Sequence, residues 1–204
     1  MLEKLRKAMK TADIDMLLIP SADPHGSEYP EEYFKARKHF SGFTGSAGTL
    51  LIWQGGAGLW TDGRYFLQAA RQLEGSGIDL FKMREPGVPT VDEFIAENIK
   101  GGVLGADLRT ISASEGMELE KGGAILKDCR SLIDGCWEGR PELSREPAYV
   151  LPMELAGVSS SDKLGAVRAE MEKEDAGVCI FTDLADIAWL FNIRGNDVKY
   201  LPVA

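Results

Sequence analysis

The sequence predicts an α/β layer fold, a sheet covered by helices on both faces, followed by the start of a second, related unit. Three observations lead there. Short apolar runs alternate with amphipathic helical stretches through the first two thirds of the 204 residues. A proline-bearing, charged stretch that is poor in apolar residues then breaks the pattern. Beyond it the opening pattern returns: Leu2, Arg6, Met9 and Asp13 recur as Leu164, Arg168, Met171 and Asp175, a shift of 162 residues.

In chain order, residues 2–13 place Leu2, Leu5, Met9 and Ala12 on one helical face. Ile14 to Pro20 follows as a buried strand that proline closes, because proline cannot donate to a ladder. Ser21 to Pro30 is a polar loop. Pro30, with Glu31 and Glu32 behind it, suits a helix start running to His39 or Phe40. Thr49–Trp53 and Leu59–Thr61 form a hairpin, and Asp62 is expected to cap the helix that carries Tyr65, Phe66, Ala69, Ala70 and Leu73. Ile78–Met83 is a strand. Thr90 and Glu93 make a capping box for a helix over 91–99. Val103–Ala106 is a strand, Ser112 or Ser114 opens a helix that ends at Gly122-Gly123, and Ala124–Ile133 supplies a last strand or two.

This places a first domain at 1–140, a linker at 141–157 and an incomplete start of a second domain at 158–204. Ser159 caps the second unit's helix, and Val178–Phe181 falls on the first unit's Met16–Ile19 strand. Cys179, inside that apolar run, is expected as buried filler.

A formal charge of −9 argues against nucleic acid as a partner. No apolar run approaches the roughly 18 residues of a membrane span. The charged N-terminus lacks the apolar core of a secretory leader, and three widely spaced cysteines fit reduced thiols, so a cytoplasmic protein is expected.

Catalytic chemistry is sparse. His25 and His39 are the only histidines, and neither has a His or Cys at metal-ligand spacing, so no metal site is expected. Cys129 and Cys136 do not match a zinc spacing. Ser46 lacks the Gly-x-Ser-x-Gly pattern and the strand-to-helix setting of a nucleophile elbow. Gly42-Phe-Thr-Gly45-Ser-Ala-Gly48 opens a strand without a Lys-Ser/Thr pair, which excludes a P-loop and leaves a tight backbone turn. Arg64 stands out. At a helix start it opposes the dipole and needs a partner such as Asp62 or Glu28. At the end of a strand it also offers a rigid fork of donors to a carboxylate or a peptide carbonyl. The residues alone leave both readings open.

Ser41-Gly-Phe-Thr-Gly-Ser-Ala-Gly-Thr49 with Trp60-Thr-Asp-Gly-Arg-Tyr-Phe-Leu-Gln68 resembles the N-terminal domain of the Xaa-Pro aminopeptidase (aminopeptidase P) family, in its long, cytosolic, three-domain form. Pro20–Tyr29, Trp137–Pro141 and Asp183–Asp197 extend the likeness over nearly the whole chain. The resemblance implies the creatinase N-terminal fold, a mixed sheet with helices on both sides, in both units. It implies that two divalent ions, usually manganese, and the hydrolytic chemistry belong to a further pita-bread domain, so that this fragment alone is inactive with no catalytic residue of its own. It implies a peptide with proline in second position as substrate, a homodimer at full length, and Arg64 as the substrate-contacting residue. Pro24 and Lys35–His39 depart from the family pattern without touching Arg64. The same fold also serves non-enzymatic, protein- or peptide-binding pseudo-peptidases, which is the alternative reading.

Overall fold

The computed structural model describes residues 1–198 and 200–203; Lys199 and Ala204, the last residue of the expected second domain, lie outside the described residues. The chain divides into two compact units, Met1–Glu142 and Leu143–Ala204.

The first unit is built on a six-stranded sheet, β1 (Met16–Pro20), β2 (Thr49–Trp53), β3 (Gly56–Thr61), β4 (Asp79–Lys82), β5 (Val103–Ala106) and β6 (Ile125–Asp128), in the order β4-β3-β2-β1-β5-β6. β2 is antiparallel to both neighbours, and every other adjacent pair is parallel. Five strands therefore point one way, and their C-terminal ends share one edge.

Side-chain alternation sorts the apolar runs onto two faces. Leu17, Ile19, Leu50, Ile52, Ala57 and Leu59 join one cluster with α1 (Leu2–Thr11), α2 (Ala36–Ser41), α3 (Phe66–Gln72) and α6 (Arg130–Cys136). Met16, Leu18, Leu51, Trp60 and Leu104 join the other with α4 (Val91–Ile99) and α5 (Ala113–Lys121). The sheet is thus a mixed layer between helices, as expected. A fully buried side chain such as Leu17 or Leu50, both 0% exposed, contributes about 1.5–3 kcal/mol. Trp60 stacks on Phe81 at 3.9 Å between ring centroids and donates from its indole to the Pro89 carbonyl at 2.9 Å.

The expected capping box of Thr90 and Glu93 is present at α4, and Ser112 with Glu115 forms a second one at α5. Other expectations need correction. The helix expected from Pro30 is a 3₁₀ turn over Glu32–Phe34 and then α2, broken at Lys35 (ψ 35). Ala124–Ile133 supplies only β6 before α6 begins, because Cys129 turns the chain and Ile133 and Cys136 face the core at helical spacing. Asp62 does not cap α3, whose N-cap is Tyr65; its carboxylate is occupied by Arg64, described below.

In the second unit, β7 (Tyr149–Val150) pairs antiparallel with β8 (Ile193–Arg194), and α7 (Met153–Ala156), α8 (Ser160–Lys173) and α9 (Leu184–Phe191) accompany them. The stretch expected as a linker therefore carries a strand and a helical turn. Backbone pairing, including Leu151 N–H to the Asn192 carbonyl at 2.7 Å, needs little apolar sequence and leaves no compositional trace. Asn192, at φ 52, ends α9 and accepts from the buried Lys163 ammonium at 2.6 Å.

The internal repeat extends to backbone detail. α1 is followed by Asp13 at φ 52, with Ile14 N–H bonded to the Met9 carbonyl at 2.9 Å. α8 is followed by Asp175 at φ 49, with Ala176 N–H bonded to the Met171 carbonyl at 2.8 Å, the same bond moved by 162 residues. The strand does not follow. Val178–Phe181 is not in a strand; Val178 and Ile180 are 77% and 80% exposed, and Cys179 is exposed, not buried. An extended segment needs ladder partners. Met16–Ile19 has β1's neighbours β2 and β5, whereas no strand pairs with 178–181 among the described residues.

Candidate functional site

The shared C-terminal edge of the sheet carries a cleft of about 640 Å³, lined by residues that follow β1 (Ser21, His25, Glu28), precede β2 (Ser46), follow β3 (Arg64) and follow β5 (Arg109). Such an edge is where α/β sheets gather functional groups, since several loops leave it together.

The corner after β3 is a closed turn. Tyr65 N–H bonds to the Asp62 carbonyl at 3.0 Å. Asp62 Oδ1 accepts from the Arg64 backbone N–H at 3.0 Å and from Nε at 2.9 Å, and Oδ2 accepts from Nη2 at 2.8 Å. The Arg64 guanidinium beside Asp62 lowers its carboxyl to about 2, and Asp62 in turn raises Arg64 above the usual arginine range. Of the two partners expected for Arg64, Asp62 makes the bonds; Glu28 contributes attraction through space. The Arg64 side chain remains 66% exposed, so the clamp aims it without burying it.

The glycine loop forms the adjoining wall. Gly42 ends α2 at φ 73. A Cβ on Gly45 would lie 2.3 Å from the Phe43 ring, and one on Gly48 would lie 3.0 Å from the Trp60 carbonyl. These glycines allow close approach, as a backbone turn requires. Ser46 shares a hydrogen bond of 2.8 Å with the Tyr65 hydroxyl, which ties loop to corner.

Beneath the loop lies Arg37, buried at 6% exposure. It donates from Nη1 to the Phe43 carbonyl at 2.7 Å, from Nη2 to the Gly45 carbonyl, and from Nε to Ser21 Oγ at 2.7 Å. Ser21 Oγ in turn donates to the Gly48 carbonyl at 2.7 Å. Burial pushes the Arg37 guanidinium down to about 10, still charged at neutral pH. One cation therefore fixes the loop after β1 and the loop before β2 together. Sequence reading passed over Arg37, since its partners are backbone carbonyls and a serine that no local pattern connects to it.

Asp23 is buried and accepts from the backbone N–H of His25 and Ser27, shaping the loop. His25 is exposed at the cleft. His39 stacks on Trp137 at 4.4 Å, and burial lowers its imidazole. Burial raises the thiols of Cys129 and Cys136.

The creatinase/prolidase N-terminal domain family model matches residues 1–136, and a second model of the same description matches 139–204. The chain belongs to the creatinase/prolidase N-terminal domain family. Within it, probable Xaa-Pro aminopeptidase P of Paracoccidioides brasiliensis strain Pb03 is 40% identical over 209 residues, 99% of this chain and 34% of the relative. That of Coccidioides posadasii strain RMSCC 757 is 41% identical over the same length and shares. The crystal structure of X-prolyl aminopeptidase from Caenorhabditis elegans, a cytosolic enzyme with a di-nuclear active site, superposes with a TM-score of 0.87 at 33% identity, covering 100% of this chain and 36% of that one. The chain thus spans about a third of the length of these relatives.

A di-nuclear centre does not fit the residues present: among the described residues, no three His, Cys, Asp or Glu side chains are grouped to hold an ion. No helix among them is long and apolar enough to cross a membrane. What this creatinase/prolidase N-terminal domain offers chemically is a polar cleft with an aimed arginine.

Proposed function

We propose that this chain is the N-terminal, substrate-shaping portion of a proline-specific metallo-aminopeptidase that removes the N-terminal residue from peptides with proline in second position. Arg64 is its substrate-binding residue and orients the peptide by donating to a carbonyl or carboxylate. The observation that carries the reading is the Asp62 clamp, which holds an exposed guanidinium in place at the mouth of a cleft. The likeness of the whole of this chain to about a third of an X-prolyl aminopeptidase supports it. A fixed fork of donors recognises a planar acceptor with little loss of side-chain freedom.

On this reading the water-activating metal ions, manganese by resemblance, are held by sequence outside these residues. The working protein is a cytoplasmic homodimer, and residues 158–204 begin a second copy of the fold. The test is the Arg64→Ala variant of the full-length protein. The KM for an Xaa-Pro peptide rises about 10–100-fold, the loss of one or two charge-assisted hydrogen bonds, while bound metal is unchanged. Unchanged kinetics would sink the role of Arg64; absent Xaa-Pro hydrolysis by the wild-type protein would sink the enzyme.

A further inference from the structure

The edge that opens into the cleft carries the same clamp twice. After β3, Asp62 holds Arg64 as described. After β5, Asp107 Oδ1 accepts from the Arg109 backbone N–H at 3.2 Å and from Nε at 3.0 Å, and Oδ2 accepts from Nη2 at 2.7 Å. Both arginines line the cleft, and neither carboxylate that holds them does. The two strands run in the same direction, separated by β2 and β1. Three steps of about 4.8 Å put the corners roughly 14 Å apart, a span that about four extended residues cover.

Arg109 is the more rigid of the two. The Asp107 side chain is 7% exposed and that of Arg109 29%. The guanidinium also lies against the rings of Tyr33 and Phe34, at 5.6 and 5.3 Å, and Nη2 reaches the Tyr33 hydroxyl at 3.4 Å. A purely structural arginine would spend its donors inside the protein, as Arg37 does. Arg109 uses Nε and Nη2 on its clamp, while Nη1 makes no hydrogen bond among the described residues. Free donors on a side chain already fixed in place suit a planar anion.

We propose that Arg109 is a specificity-determining residue that binds a carboxylate of the peptide lying across this cleft. The carboxylate is either the peptide's C-terminus or an acidic side chain, about four residues from the group that Arg64 holds. The proposal rests on the reading of Arg64 as the peptide-orienting residue.

The test is a ¹⁵N NMR titration of the 204-residue chain with three peptides: Ala-Pro-Gly-Gly-Gly as free acid, the same peptide as C-terminal amide, and Ala-Pro-Gly-Glu-Gly as amide. A carboxylate-bearing peptide binds about tenfold or more tightly than the plain amide, as a charge-assisted pair requires. A preference for the free acid assigns the terminus as the source, and one for the glutamyl amide assigns a side chain. The Asp107→Asn/Arg109→Met double variant removes both charges, so none is left buried alone, and brings the preferred peptide down to the level of the plain amide. If circular dichroism shows that variant unfolded, Arg109→Lys, which keeps a cation for Asp107 but loses the fork, must cut the preference at least severalfold. Equal binding of all three peptides, or a preference that survives these changes, overturns the role of Arg109. Arg64→Gln is read separately. It weakens all three peptides, and no effect there overturns the role of Arg64 while the acid-to-amide ratio still judges Arg109. No binding of any peptide overturns both.

Discussion

Arg37 holds Phe43 in two ways at once: Nη1 donates to its carbonyl at 2.7 Å, and the guanidinium carbon sits 4.8 Å from the centroid of its ring. Arg37→Ala would leave the Phe43 and Gly45 carbonyls and Ser21 Oγ without their donor. Unmet buried acceptors cost about 1–3 kcal/mol each, less whatever water repairs, so a loss of about 2–4 kcal/mol in urea unfolding is expected. Arg37→Lys recovers part of it. A loss below about 1 kcal/mol would show that the loops hold without this cation.

Gly45→Ala puts a methyl group 2.3 Å from the Phe43 ring and 2.8 Å from that of Tyr65. Both rings have to shift, at about 1–3 kcal/mol. Because Tyr65 also bonds to Ser46, the Tyr65 ring resonances should move with the loss of stability. A variant as stable as the parent would contradict the close packing of the loop.

The Asp62 carboxyl lies at about 2 in the folded chain, against 3.8 ordinarily. A carboxyl depressed by folding contributes stability that is full above its unfolded value and disappears as the pH falls through its folded one. The clamp therefore holds Arg64 at pH 4 and above and releases it between about 4 and about 2. A ¹³C titration of Asp62 measures this directly. Arg64→Ala should return Asp62 to the ordinary carboxylate range; a titration that does not respond means the clamp is not formed in solution.

Thiol chemistry separates the cysteines. Burial raises Cys129 and Cys136, whereas Cys179 is exposed. A thiolate must be both formed and reached to react. One thiol of three should react promptly with a disulfide reagent and two only on denaturation, with mass mapping to Cys179. Prompt labelling of Cys129 would contradict the packing of α6.

Thr90→Ala removes the N-cap of α4, whose hydroxyl accepts from Glu93 N–H at 3.2 Å while Glu93 answers at 2.8 Å. About 1 kcal/mol of stability is expected to go. No change in the urea midpoint would mean that α4 is held by Ile95 and Ile99 alone.

Much of this was legible in the residues because the signals were local. The run from Leu50 to Trp53 declared a buried strand, and Thr90 with Glu93 declared a helix start. What was missed turned on which of two competing local roles wins, or on strands distant in sequence. Asp62 reads as a cap until the Arg64 guanidinium claims its carboxylate. Ala124–Ile133 is too short for periodicity to separate β6 from α6. Val178–Phe181 reads as a strand because its first-unit counterpart is one, yet sequence cannot say whether ladder partners stand beside it. Asp107-Leu-Arg109 follows a strand just as Asp62-Gly-Arg64 does, so the second clamp is legible from the spacing alone.

The parallel arrangement of the strands has one more consequence, for cooperativity. The cleft draws on residues from Pro20 to Glu115, brought together only because β1, β3 and β5 end on the same edge. No local fluctuation can assemble it, and losing central strand β1 dismantles it. Ligand-binding competence should therefore disappear in the same transition as the slowest-exchanging sheet amides, and a bound peptide would raise the melting point of the first unit as a whole.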